Sequence, residues 1–296
     1  MHVSFYGAVR EVTGSMHLIT TEQDHVLLDC GMFQGRRREA KEKNKVMPFD
    51  PQIITNVVLS HAHIDHSGRL PLLTRKDFAG RIISTRATAA ACEYLLPDSA
   101  HIQESDAQYL NYKMVRSALQ KMEGSAKEGK RRIKSLKKNK HKLDVGRINE
   151  LIDRFHLEGV SPLYTDEDAQ EALSRFDGNP YRHPITIGHE MTCTFYDAGH
   201  ILGSAITIIR VRENGRDYAI GYTGDIGRFD KPIIADPTLE FDEADRELDL
   251  LIMESTYGDR IHRPELEMDE RLVDIIWRTY NRGGAIIIPS FAVGRS

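Results

Sequence analysis

Apolar residues in the first hundred positions fall in short runs separated by glycine-bearing turns. His2–Tyr6, Met16–Thr20 and Val26–Asp29 read as opening strands, with Thr13-Gly14-Ser15 turning between the first two. Asn56–Ser60 carries the unbroken apolar run Val57-Val58-Leu59, the pattern of a buried strand, and Arg81–Ser84 is another. A helix is expected from about Ala87 to Leu96. From about Ser99 to Ser174 the alternation disappears and polar stretches rich in helix formers take over, which predicts a helical insertion. Strand texture returns with Met191–Tyr196, Ala205–Val211 and Tyr218–Tyr222, and ENGRD (213 to 217) supplies a hairpin turn. LDLLIMEST, a helix through Glu267–Asn281 and a strand at Ala285–Ile288 follow. Two strand-rich halves with helices interleaved predict an α/β layered fold.

Composition narrows the function classes. With 296 residues, 40% of them hydrophobic, the chain can bury a sizeable core. No run approaches the ~20 apolar residues of a membrane span. The N-terminus shows no basic stretch leading into an apolar one, so no signal peptide is expected. Cys30, Cys92 and Cys193 are odd in number and far apart, which fits no disulfide framework and suits a reducing, cytoplasmic location. The net charge of -4 is unevenly spread. Residues 113 to 147 hold 13 Lys/Arg against 3 Asp/Glu, a net of +10, which leaves -14 for the rest. Such a segment is either a solvated helical face or a contact surface for a polyanion.

The densest chemistry lies in SHAHIDHSGRL, residues 60 to 70. His61, His63, Asp65 and His66 can each ligate a metal, and they follow directly on a buried strand. Residues two apart in an extended segment point to the same side, so His61 and His63 can converge on one ion. Asp65 and His66 follow as the chain turns, close enough to serve a second. Four more segments place a potential ligand where a strand ends in glycine or a turn: Asp29 in LLDCG, His200 in YDAGHILGSA, Asp225 in YTGDIGR and Glu254 in LIMESTYGDR. Sites built from strand-end loops are how α/β scaffolds hold chemistry.

HAHIDH matches the HxHxDH signature of the metallo-β-lactamase fold superfamily, and Asp29, His200 and Asp225 fall in the order of its other motifs. ESTYGDR, followed after a helix by GGAIIIPSFAVGRS, resembles the β-CASP branch of nucleic-acid nucleases. GAVREVTGSMHLI, LLDCGMFQG and AHIQESDA are similar to its RNA-processing members, such as the nuclease subunit of the cleavage and polyadenylation factor. The resemblance implies a four-layer αββα sandwich over residues 1–285, with a helical basic insertion at about 99–180 and a β-CASP domain opening at 286–296. It gives His61, His63 and His200 to one zinc ion and Asp65 and His66 to another, with Asp225 bridging. Asp29 would support the site from behind the ligands, and Glu254 would act from outside the metal shell. Asp65, Glu254 and Asp29 are thus the expected catalytic residues.

The implied reaction is hydrolysis of an RNA phosphodiester by a hydroxide activated between two zinc ions, manganese being a second option. RNA is the implied partner, with the segment 113–147 as a candidate contact, and a homo-oligomeric state is left open. The family's later motifs supply two further histidines, whereas no histidine follows His262. The chain is therefore expected to be a fragment of a longer enzyme. Rival readings are a thioesterase of the glyoxalase II kind, a DNA-repair nuclease and an inactive scaffold subunit.

Overall fold

The computed structural model describes all residues except 124–126, 140–141, 262–264 and 290–296. The elements run β1 (His2–Gly7), β2 (Met16–Thr20), β3 (His25–Leu28), α1 (Arg37–Lys45), β4 (Asn56–Val58), α2 (Ile64–Ser67), α3 (Leu70–Arg75), β5 (Arg81–Thr85), α4 (Arg86–Glu123), α5 (Lys127–Ser135), α6 (Val145–Arg154), α7 (Asp166–Leu173), β6 (Phe176–Asn179), β7 (Ile185–Gly188), β8 (Met191–Asp197), β9 (Ala205–Glu213), β10 (Arg216–Tyr222), β11 (Leu250–Ile252) and α8 (Glu265–Asn281).

Two sheets stack face to face. The first has the order β1-β2-β3-β4-β5-β6 and the second β11-β10-β9-β8-β7. In the first, β1, β2 and β3 are antiparallel and β3 to β6 are parallel. Alternation along each strand assigns the two faces. Val26, Leu28, Val58 and Ile83 enter the layer between the sheets, where they meet Met191, Phe195, Ile209 and Val211. Leu27, Val57 and Ile82 point the other way, into a core closed by Leu70, Leu73, Cys92 and Leu96 of α3 and α4. The parallel strands are buried on both faces, which is why they read as unbroken apolar runs. On the outer face of the second sheet, Tyr196, Ile206 and Ile208 are covered by Phe241 and a single 3-10 turn at Glu243–Asp245.

Several expectations need correction. The helix expected to stop at Leu96 continues through Pro97 to Glu123, because Leu96 and Ala100 both pack into the first core. The insertion expected to reach about residue 180 ends earlier. Residues 176–179 form β6, a parallel neighbour of β5, and Tyr164, Ala169 and Ala172 belong to the first core. The free-standing part of the insertion is the outer half of α4 with α5 and α6. These share a satellite core of Tyr112, Val115, Leu119, Leu136, Ile148, Leu151 and Ile152. Ala285–Ile288 forms no strand, and no partner strand meets it among the described residues. Residues 290–296, most of the segment read as opening a second domain, lie outside the described residues. No helix among them is long and apolar enough to cross a membrane.

Candidate metal centre

The site assembles where β3, β4, β8 and β10 end. Past β4 the chain stays extended through Ser60 to His63, then turns once as α2, whose start carries Asp65 and whose end carries His66. The loop after β3 is pressed against that turn. Ser15 N, Cys30 N and Met32 N donate to the carbonyls of Asp65, His66 and Ile64 at 2.9, 2.8 and 2.9 Å. Only a glycine can stand at position 31, since a Cβ there would lie 1.6 Å from the Asp65 carbonyl oxygen. On the opposite side Gly227 N donates to Ala198 O at 2.8 Å, which joins the His200 and Asp225 loops. A Cβ on Gly227 would meet the Gly199 carbonyl oxygen at 1.6 Å.

These loops bring His61, His63, His200 and Asp225 together, with one potential ligand atom from each lying within 4.8 Å of all the others. His61 Nε2 is 3.1 Å from His63 Nδ1, and His200 Nε2 is 3.2 Å from the same atom. Asp225 Oδ2 lies 3.8 Å from His61 Nε2 and 3.4 Å from His200 Nε2. A tetrahedral zinc with bonds of about 2.0–2.1 Å separates its ligand atoms by about 3.3 Å, so the observed spacing fits such an ion. Burial, reinforced by the neighbouring imidazoles, holds His61 well below its ordinary pKa, and burial lowers His200 despite the nearby Asp225. Both rings are thereby neutral near pH 7, the form that ligates a cation.

The other oxygen of Asp225 faces elsewhere. Its Oδ1 is 3.3 Å from His66 Nε2, so the carboxylate presents one oxygen to each of two groups. Asp65 is partly buried beside them, and its carboxyl is raised by desolvation, with His66 opposing and Asp225 adding to the shift. Burial alone would lower His66, but the Asp29 and Asp225 carboxylates beside it carry its pKa well above the ordinary value.

Asp29 sits behind His66 with no exposed surface and a positive φ of 58°. Its Oδ1 accepts from Ser60 N at 2.8 Å. Its Oδ2 accepts from His66 Nδ1 at 2.6 Å, Ser60 Oγ at 2.9 Å, Ser15 Oγ at 3.3 Å and the Tyr222 hydroxyl. The carboxylate thus takes the His66 Nδ1 proton and leaves Nε2 facing Asp225. Ser15, Ser60 and Tyr222 were not singled out in the sequence. Ser60 had the one usable signal, adjacency to His61, whereas Tyr222 reads as the last residue of an apolar strand. Glu254 lies at the rim, where its Oε1 accepts from Ile226 N at 3.0 Å and its Oε2 from Thr256 N at 3.2 Å. It therefore grips the backbone immediately after Asp225.

A comparison of the whole chain with known proteins accords with this arrangement. The profile of the metallo-beta-lactamase superfamily matches residues 9–252. The chain belongs to the metallo-beta-lactamase superfamily. Among its superfamily relatives, Ribonuclease TTHA0252 of Thermus thermophilus is 31% identical over 296 residues, which is 100% of this chain and 53% of that protein. The transcription termination factor FttA of Thermococcus kodakarensis is 27% identical over 100% of this chain and 38% of its own length. The endoribonuclease YSH1 of Eremothecium gossypii is 27% identical over 98% of this chain and 31% of its own length. The chain thus spans about half, or less, of the relatives it matches. A solved subclass B3 metallo-beta-lactamase from a soil metagenome is 15% identical, covering 74% of this chain and 59% of its own at a TM-score of 0.37.

Proposed function

We propose that this chain is the metal-binding part of a ribonuclease that hydrolyses RNA phosphodiester bonds, with two zinc ions as its cofactors. The observation that carries the reading is the convergence of His61, His63, His200 and Asp225, with the second Asp225 oxygen turned to His66. Relatives named as ribonucleases support RNA as the substrate class. In this reading His61, His63 and His200 would hold one ion and His66 and Asp65 would contribute to the other, with Asp225 offering one oxygen to each group. Divalent metals held there supply Lewis-acid stabilisation of phosphoryl charge and acidify a bound water.

The chain's own residues supply the rest. Asp65 orients the attacking water and accepts its proton, a role suited to a carboxyl whose pKa burial has raised. Asp29 fixes the His66 ring, and Glu254 fixes the Asp225 loop. Residues 1–285 form the metallo-β-lactamase domain, and residues from 286 open a β-CASP domain. The exposed apolar side chains of Val273, Ile276 and Trp277 on α8 are consistent with further structure packing there.

The test is a gel assay with end-labelled single-stranded RNA and matched DNA, run on the zinc-loaded full-length parent and its Asp65→Ala variant. Cleavage of RNA by the parent and none by the variant is the expected result. RNA left intact while DNA or a thioester is hydrolysed would refute the substrate assignment. Retention of a tenth of the rate by Asp65→Ala would refute the role of Asp65.

A further inference from the structure

The basic segment does not border the metal centre. α4 begins beside it, because Thr85 Oγ1 and Thr88 Oγ1 both donate to Gly203 O in the His200 loop, at 2.7 and 2.8 Å. The helix then leads away over the first sheet. At 1.5 Å per residue, Tyr112 lies ~40 Å along it from Arg86. The Lys137 ammonium sits 5.5 Å over the Tyr112 ring, which fixes the returning chain at that same distance from the site.

The arm also has its own reason to be folded. Tyr112, Val115, Leu119, Leu136, Ile148 and Leu151 fill a satellite core, so its apolar positions are spent inward. What remains outside over residues 121–142 is mainly cationic, whereas α6 also exposes Glu150 and Asp153. Lys121, Arg131, Lys134, Lys138 and Lys142 are exposed, and none has a carboxylate partner among the described residues. Arg147 differs, being paired with Glu150. An ordinary solvated helix face would interleave both signs, as α1 does with Lys43 bonded to Glu11 and Lys45 paired with Glu42. A run of unpaired cations held on a folded arm is suited to a polyanion backbone. Tyr112 is buried and offers no ring for base stacking, and half-exposed Tyr109 is already covered by the Lys113 ammonium 4.8 Å from its ring, so the five cations offer contacts to phosphates.

We propose that this arm is a second RNA-binding surface, set ~40 Å from the metal centre, which holds the backbone of long single-stranded RNA while another part of the strand occupies the site. This rests on the ribonuclease reading for the choice of polyanion. Its consequence is dependence on RNA length, because a strand too short to reach from site to arm gains nothing.

The test compares the chain with a Lys121→Gln, Arg131→Gln, Lys134→Gln, Lys138→Gln, Lys142→Gln variant, by fluorescence anisotropy across a salt series. One labelled RNA has about 6 nucleotides, ~20 Å when stacked, and the other about 40, ~140 Å. Removing five phosphate contacts should lower the salt slope for the long RNA by about 3.5 and its affinity in low salt by at least about tenfold, with the short RNA unchanged. All five residues are exposed, so an unchanged circular dichroism spectrum and melting temperature are expected of the variant. Equal affinity of variant and wild type for the long RNA, or equal losses for both lengths, overturns the proposal. So does a loss confined to phosphatidylserine-containing vesicles, which would make the arm a membrane contact. Arm-dependent RNA binding without metal-dependent cleavage would instead remove the ribonuclease reading and leave the arm in place.

Discussion

Replacing Asp29 by asparagine leaves the side chain's shape intact and exchanges one oxygen for an NH2 group. In the wild type, Oδ1 accepts from Ser60 N and Oδ2 accepts from His66 Nδ1, Ser60 Oγ, Ser15 Oγ and the Tyr222 hydroxyl. If the asparagine oxygen keeps the Ser60 N bond, its NH2 faces His66 Nδ1, and that nitrogen must become an acceptor. The ring proton then moves to Nε2, the atom 3.3 Å from Asp225 Oδ1, where a metal ligand needs a lone pair. If the amide takes the opposite orientation, its NH2 points at the Ser60 N–H, and a buried donor loses its acceptor. Either way a charge-assisted bond worth ~1.5–3 kcal/mol is lost. Loss of a carboxylate that orients a ligating histidine lowers metal affinity by about 10–100-fold. Competition against a chromophoric zinc chelator measures this directly, with a thermal melt of the metal-free protein alongside. Zinc affinity within a factor of two of wild type, at unchanged stability, would refute the claim that Asp29 sets the His66 tautomer.

Three further outcomes are expected. Gly227→Ala should abolish zinc binding in the same chelator assay, because its Cβ would fall 1.6 Å from Gly199 O and force the His200 and Asp225 loops apart; normal affinity would contradict the close approach. Glu254→Ala frees the backbone at Ile226 and should weaken zinc binding several-fold, whereas Glu254→Gln, which keeps one acceptor, should weaken it less; equal losses would point to a role for the charge instead of the grip. Cys30 and Cys92 are buried with their thiols pushed up to about 12, so neither is ionised at pH 8 and a thiolate-directed reagent should label neither until the protein unfolds; prompt labelling of the native protein would contradict the burial.

Much of the frame is legible in the sequence, for a physical reason that differs by element. β2 matches its expected bounds, and β3, β4 and β5 fall within a residue or two, because strands buried on both faces leave unbroken apolar runs. β6 was illegible. Its sequence FDGN has no strand texture, and it is a strand only because β5 offers it an unpaired edge. The length of α4 was missed because Pro97 argues for a stop, whereas Leu96 and Ala100 on either side anchor the helix in the core. Within the site, local spacing brought out His61, His63, Asp65 and His66, and strand-end position brought out Asp29, His200, Asp225 and Glu254. The structure gathers His61, His63, His200 and Asp225 and sets Asp29 behind His66. The Ser15–Tyr222 contact at 2.8 Å joins residues 207 apart in the chain, a pairing that no local pattern encodes.

The proposed site requires that the four convergent side chains hold metal. Equilibrium dialysis of the chelator-stripped chain against zinc, with His61→Ala and His200→Ala alongside, is the most direct measurement. Bound zinc in the wild type and loss of the tighter-bound ion in both variants is the expected result. Zinc bound equally by all three proteins would contradict it.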